Sequence, residues 1–110
     1  MSGYYELKKS KNGKYHFSLH AGNHQPLLAS ELYEEKRSAL AGISSVQKNG
    51  IKDARFERKT SSRGEPYFNL LAQNGQIIGT SEMYSSEPAR ENGIESVITN
   101  SPSPVIREES

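Results

Sequence analysis

Ser30-Glu31-Leu32-Tyr33 returns 51 positions later as Ser81-Glu82-Met83-Tyr84, and Gly42-Ile43-Ser44-Ser45-Val46 returns as Gly93-Ile94-Glu95-Ser96-Val97. With no gap, 17 of the 46 residues from Tyr5 to Gly50 recur identically at that offset. Self-similarity at a fixed period decides the architecture before local propensity is considered. A unit of roughly 50 residues is marginal as an independent core. The stretch Lys48-Asn49-Gly50-Ile51-Lys52-Asp53 between the copies is too short for a free linker. The expectation is one domain of two repeats, residues 3–53 and 54–107, sharing one core, with 108–110 as a frayed tail.

Outward from the repeated motifs, each unit opens with a hairpin. Tyr5-Glu6-Leu7-Lys8 alternates apolar and polar, Asn12-Gly13 turns, and Tyr15 to Ala21 alternates again. Asn-Gly between alternating runs is a strong hairpin signal, because both residues tolerate positive φ. The second copy reads Phe56-Glu57-Arg58-Lys59, a turn at Ser62-Arg63-Gly64, then Tyr67 to Ala72. A further turn, Gly22-Asn23-His24 or Asn74-Gly75, leads to a third strand at Pro26–Ala29 or Gln76–Thr80.

The period then lengthens. Ala39, Ile43 and Val46, and likewise Arg90, Ile94 and Val97, stand at i, i+4, i+7, which predicts amphipathic helices over about 35–48 and 87–99. Ser86-Glu87-Pro88 has the chemistry of a helix start, and Asn49-Gly50 and Asn100 suit the exits. Gly42 and Gly93 lie inside the helices, where glycine costs up to about 1 kcal/mol against alanine, so something, most simply the sheet, approaches the helix backbone closely. Ala54-Arg55 and Val105-Ile106-Arg107 are short extended pieces after the helices. Each unit is thus β-β-β-α-β.

Tyr4-Tyr5-Glu6-Leu7-Lys8-Lys9, the doubled Ser-Glu-x-Tyr and the doubled Gly-Ile-x-Ser-Val, in that order, resemble the YegP-like family of small uncharacterised bacterial proteins. The resemblance covers about residues 3 to 107. It implies an α+β fold: two tandem β-β-β-α-β repeats in one antiparallel sheet, both helices on one face, and C-terminal strands exchanged between repeats. Single-unit relatives do this as dimers, so a tandem chain is implied to be a monomeric pseudo-dimer. The family brings no established activity, substrate, cofactor or catalytic residue. Pro26 in place of the other copy's Ile77, and Gly22-Asn23-His24 in place of Asn-Gly, depart from the pattern at one local edge.

Composition narrows the function. Hydrophobic residues make up 33% and charged residues 25%, so the core is thin and aromatics must supply much of it. Cysteine is absent, which excludes disulfides, thiolate metal sites and cysteine nucleophiles. The N-terminus has no signal-peptide pattern, and no apolar run reaches membrane-spanning length. The expectation is a soluble cytoplasmic protein with no membrane association. Net charge is +1, distributed as +3 over residues 1–53 and −2 over 54–110, so no global field pulls toward nucleic acid.

Three constellations carry candidate chemistry. The first is the repeated corner Ser30, Glu31, Tyr33 with Ser81, Glu82, Tyr84. Two carboxylates brought together by pseudo-twofold symmetry could do acid–base work or bind a cation. The plainer account has tyrosine packing under the helix start while Ser and Glu satisfy backbone amides. The second is the set of basic hairpins Lys8, Lys9, Lys11, Lys14 and Arg55, Arg58, Lys59, Arg63, a polyanion surface if the first strands are neighbours. Lysines on edge strands also block aggregation. The third is His16, His20 and His24. His16 and His20 share a face but stand about 13 Å apart at strand rise, too far for one metal. No P-loop, dinucleotide fingerprint, nucleophile elbow or zinc spacing occurs. No catalytic, cofactor or metal residue is assigned.

The leading reading is a binding or interaction module of unknown ligand or protein partner. Its working surface is the sheet face away from the helices: Tyr4, Glu6, His16, Ser18, His20, Tyr67, Asn69 and Leu71. Parity sets these opposite the core residues Tyr5, Leu7, Tyr15, Phe17, Leu19, Phe56, Phe68 and Leu70. Nucleic-acid binding through the hairpins, and an enzyme built on the Ser-Glu-x-Tyr corners, are the alternatives.

Overall fold

The computed structural model describes residues 3–109. The first repeat forms β1 (Tyr4–Lys9), β2 (Tyr15–His20), β3 (Pro26–Ala29) and α1 (Lys36–Asn49). The second forms β4 (Phe56–Thr60), β5 (Pro66–Leu71), β6 (Ile77–Thr80), α2 (Glu87–Asn100) and β7 (Ile106–Glu109). All seven strands join one sheet in the order β4-β5-β6-β3-β2-β1-β7. The two meanders meet at β3 and β6, where the equivalent residues Ala29 and Thr80 face each other and set the pseudo-twofold axis. No helix among the described residues is long and apolar enough to cross a membrane.

Turn chemistry fixes the meanders. Gly13, Gly64 and Gly75 carry positive φ, as the hairpin turns demand. His24 holds the same place as Gly75 and takes φ 72. Its amide donates to Ala21 O just as that of Gly75 donates to Ala72 O. The substitution therefore leaves the turn unchanged. Pro26 alters nothing either: the register slips between Leu19 and His20 in one copy and between Leu70 and Leu71 in the other.

Alternation along the strands puts Tyr5, Leu7, Phe17, Leu19, Phe56, Phe68 and Leu70 into one core with Ala39, Ile43, Val46, Ile94 and Val97 of the helices. Both helices therefore cover the same face. Ser86 caps α2, its hydroxyl accepting from Ala89 N at 3.1 Å. The mid-helix glycines are explained by tyrosine more than by strand backbone. A Cβ on Gly42 would lie 2.6 Å from the Tyr33 hydroxyl, and one on Gly93 would lie 2.5 Å from Tyr84 Cζ. Each tyrosine is sandwiched flat between its helix and a core phenylalanine, Tyr33 on Phe17 at 6.1 Å and Tyr84 on Phe68 at 6.2 Å.

The sheet is mixed where an antiparallel one was expected. β7 crosses over to the first repeat and pairs with β1 in parallel, Tyr5 opposite Ile106 and Leu7 opposite Glu108; the remaining pairs are antiparallel. The repeat offset supplies the reason. Residues 106–109 correspond to 55–58, the start of β4, so β7 and β1 are equivalent strands running in one direction. β1 holds the place beside β2 that β4 holds beside β5, and β7 is left to pair outside it. Glu108 and Glu109, expected to fray, belong to β7, and Ser110 lies outside the described residues. After α1 the matching piece, Asp53–Arg55, is a 3-10 turn that leads straight into β4.

Candidate functional site

The Ser-Glu-x-Tyr corners are built alike in both copies. Ser30 Oγ accepts from Phe17 N at 2.9 Å and donates to Glu31 O at 2.8 Å. Ser81 Oγ accepts from Phe68 N at 3.0 Å and donates to Glu82 O at 2.8 Å. The serines thus satisfy backbone groups of the neighbouring strand and their own corner. Burial raises the pKa values of Tyr33 and Tyr84, and the charges of Glu31 and Glu82 add to that rise. Both hydroxyls therefore stay protonated well into alkaline solution.

The two glutamates are exposed and make no side-chain hydrogen bond or ion pair among the described residues. They do not converge. With Ala29 opposite Thr80 in an antiparallel pair, Glu31 and Glu82 lie two residues beyond the axis in opposite directions, about 13 Å apart along the strands. Between them the β3–β6 ladder has a single registered pair. An open pocket of about 520 Å³ lies there, lined by Ala29, Ser30, Glu31, Ile77, Gly79, Thr80 and Ser81.

The pocket interrupts a row of side chains that crosses the whole sheet on the face without helices. In register the row reads Glu57, Asn69, Thr80, Ala29, Ser18, Glu6, Arg107. Its ends are polar networks. Asn69 Nδ2 donates to Glu57 Oε1 at 3.1 Å, and Thr80 Oγ1 donates to Asn69 Oδ1 at 2.8 Å. At the other end Lys8 Nζ sits 3.1 Å from Glu6 Oε1. Burial pushes the Glu6 carboxyl up, but hydrogen bonds with Lys8 and Glu109 and the charges of Lys8 and His20 outweigh it and hold it below its ordinary value. Only the middle, Ala29 and Thr80, is small and open.

The same face carries a cluster that only the first repeat has. Tyr4 is 6% exposed. Its ring stacks on His20 at 5.1 Å, Arg107 of β7 lies over it at 4.0 Å, and its hydroxyl shares a 2.9 Å hydrogen bond with His24 Nδ1. His20 Nδ1 donates to His24 O at 3.3 Å, and Nε2 shares a 2.8 Å hydrogen bond with Ser18 Oγ. The counterparts of Tyr4, His20 and His24 are Arg55, Leu71 and Gly75. The sequence parity had placed Tyr4, Ser18 and His20 together. It missed His24 and Arg107, whose one signal was a non-glycine residue where the other copy turns on Gly75.

The basic hairpins are separated. β1 and β4 stand five strand positions apart, about 24 Å, and run in opposite directions, so their tips occupy diagonal corners of the sheet. Several cations are engaged: Lys14 with Glu34, Lys9 over the Tyr15 ring, and Arg58 with Asp53 and Glu91. Hydrogen bonds to Glu91 and then Asp53 raise the pKa of Arg58, and the hydrogen bond from Arg58 leads in lowering that of Glu91. Lys11, Lys59 and Arg63 make no ion pair among the described residues, and Arg55 is half-buried. His16 lies opposite Lys8 in the ladder. No group of three or more His, Asp or Glu able to hold a metal ion occurs among the described residues.

A family profile, the domain of unknown function DUF1508, matches residues 10–57 and again 61–108. Each match runs into a strand, β4 or β7, that lies on the other unit's side of the sheet. A UPF0339 protein of Acinetobacter baylyi is 51% identical over 108 residues, covering 98% of this chain and 97% of that one. The UPF0339 protein YegP of Escherichia coli is 47% identical over 108 residues, covering 98% of each chain. Among solved structures, the solution structure of a Shewanella oneidensis UPF0339 protein, 51% identical, superposes with TM-score 0.92 over 98% of this chain and 92% of that one. That of Escherichia coli YegP, 47% identical and described as a protein of unknown function, superposes with TM-score 0.94 over 99% and 94%. None of these relatives brings an established activity. The chain belongs to the DUF1508 family, in its tandem form.

Proposed function

We propose that this tandem DUF1508 protein is a non-enzymatic binding module that works through the helix-free face of its sheet, with the seam between the repeats as its centre. The observation that carries this reading is the open pocket at the one place where the ladder is reduced to a single pair and the facing side chains are small. Along the rest of that row, Glu57 with Asn69, Glu6 with Lys8 and Ser18 with His20 are already bonded. Tyr4, Glu6, His16, Ser18, His20, Tyr67, Asn69 and Leu71 flank the centre and shape its approaches. The separation of Glu31 from Glu82 speaks against a shared acid–base pair, since general acid–base partners must reach one reacting group. The diagonal placement of the basic hairpins speaks against one continuous polyanion surface. We further propose that the protein acts as a single chain in the cytoplasm, because the second repeat already supplies the partner that one repeat lacks.

A metabolite collection screened against the isotopically labelled protein tests this, with backbone amide shifts as the readout. Saturable shifts confined to Ser18, Ala29–Glu31 and Gly79–Glu82 are expected. Shifts confined to the hairpin tips or to the exposed helix faces would overturn it.

A further inference from the structure

Asn-Gly occurs four times in the chain, at Asn12-Gly13, Asn49-Gly50, Asn74-Gly75 and Asn92-Gly93. Glycine after asparagine leaves the next backbone nitrogen free to attack the asparagine side-chain carbonyl, because no Cβ shields it. The fold sorts the four into two classes. Asn49 is 8% exposed at the end of α1, its Nδ2 donates to Ser45 O at 2.9 Å, and the Gly50 amide donates to Val46 O at 2.7 Å. Gly50 is also packed against Ser101. Gly93 is buried in the middle of α2, with Tyr84 in the place a Cβ would take, and its amide belongs to the helix ladder. Asn12-Gly13 and Asn74-Gly75 instead form exposed hairpin tips. Both glycines there hold positive φ, and nothing lies within 4 Å of where a Cβ on either would stand.

We infer that Asn74 and Asn12 are spontaneous modification sites, each converting to aspartate and isoaspartate through a cyclic imide. The Gly75 nitrogen, losing its proton to solvent base, attacks Asn74 Cγ; a C–N bond forms and the side-chain nitrogen leaves as ammonia. Water then opens the ring at either carbonyl. One opening gives aspartate, and the other leaves the main chain running through the former side chain. The tip prepares the attack. Gln76 N donates to Asn74 Oδ1 at 3.0 Å, which folds the side chain back along the turn. It also places a donor on the oxygen that takes up negative charge as the nitrogen adds. In the first hairpin Ser10 Oγ and, at 3.4 Å, Lys14 N donate to Asn12 Oδ1. The obstacle at each tip is one turn bond, Gly75 N to Ala72 O at 2.9 Å and Gly13 N to Ser10 O at 3.0 Å. An exposed tip opens at low cost. The molecule holds its own control. Asn23 stands where Asn74 stands in the other copy, and its Oδ1 accepts from Gln25 N at 3.1 Å, but His24 follows it and the His24 Cβ shields the nitrogen. None of this chemistry depends on the seam binding a ligand.

The test is a time course of the full chain in mildly alkaline buffer, resolved by ion exchange, with peptide mass spectrometry locating the change and identifying isoaspartate. Each conversion adds one negative charge to a chain of net charge +1, so the products separate. Asn74 and Asn12 should convert at least about a hundredfold faster than Asn49 and Asn92, because the helices must open far more of the fold before their glycine nitrogens are free. In concentrated urea all four should convert at similar rates. His24→Gly should make Asn23 convert alongside Asn74, and Gly75→His should silence Asn74, both with wild-type amide shifts outside their turns. The ratio between tips and helices in the unsubstituted protein tests the assignment without either variant. Equal rates at all four sites in the folded protein, tips that stay inert, an Asn23 that stays inert in the folded His24→Gly protein, or an Asn74 that still converts in Gly75→His would each overturn it.

Discussion

At one end of the sheet β1 lies under β7, while at the other end its repeat, β4, faces solvent. Leu7 on the covered strand is 2% exposed and part of the core. Its counterpart on the bare strand is Arg58, clasped by Glu91 and Asp53. The counterpart of Glu91 is Leu40. The edge-facing amide of Tyr5 donates to Val105 O beside β7, whereas that of Phe56 donates to Asp53 O in its own 3-10 turn. One ancestral strand has therefore solved the exposed-edge problem in two ways. A covered edge keeps apolar residues and needs a neighbour. A bare edge replaces them with an ion-paired arginine and folds its own chain back over the first amide, two of the devices that prevent edge-to-edge pairing.

Four sets of variants would break or sharpen this contrast. Writing the bare-edge residue into the covered strand, Leu7→Arg, buries a charge without a partner and removes a core leucine. A loss of about 4 kcal/mol or more is expected in urea unfolding. Truncation after Val105 removes β7 and its pairing with β1, for about 2–4 kcal/mol from the lost ladder bonds. It also bares Tyr5 and Leu7, so sedimentation should show concentration-dependent association; a monomer of unchanged stability would mean β7 is not what protects that edge.

The two turns offer the third comparison. Gly75→His should cost about 1 kcal/mol, because a non-glycine residue enters the left-handed region with no tyrosine to receive it. His24→Gly should lie within about 0.5 kcal/mol of wild type, since relief of strain and loss of the Tyr4 bond oppose each other. Thermal unfolding of the pair separates the two effects.

Arg58→Leu should also cost little, about 1 kcal/mol or less, because the pair is partly solvated. Its pH dependence is more telling than its size. The folded-state pKa of Glu91 is lowered, so its contribution is fully present above the unfolded value of about 4.3 and is lost as pH falls through the lower folded value. Stability curves of wild type and variant should converge below that window and stay parallel above it. A gap that persists in acid would assign the arginine's contribution to packing instead.

Much of this architecture was legible in the chain. The 51-residue offset, the Asn12-Gly13 turn and the change from period 2 to period 3.6 place six strands and both helices within a residue or two. At the repeated corners the serines bond backbone groups and the tyrosines pack against the helices, as expected, whereas the glutamates, expected to satisfy amides, bond none among the described residues. Three features were not legible, each for a physical reason. The parallel β1–β7 pair depends on which of two equivalent strands takes the place beside β2, and local periodicity says nothing of that competition. The Tyr4–His20–His24 cluster closes over the expected Gly22-Asn23-His24 turn, but a turn signal does not say that His24 reaches back to Tyr4 of β1. The distance between Glu31 and Glu82 follows from register at the seam, which rests on a single bridge that no side-chain pattern announces.

The pairing of β1 with β7 also has a consequence in time. During synthesis the first repeat can complete its hairpins and helix while the strand that will cover Leu7 has not been made. At about 5–20 residues per second, the roughly 100 residues separating Leu7 from Glu108 keep that edge uncovered for about 5–20 s. For that interval the nascent chain presents an apolar strand edge to the rest of the cell, and β7 can close it only after both helices have been made.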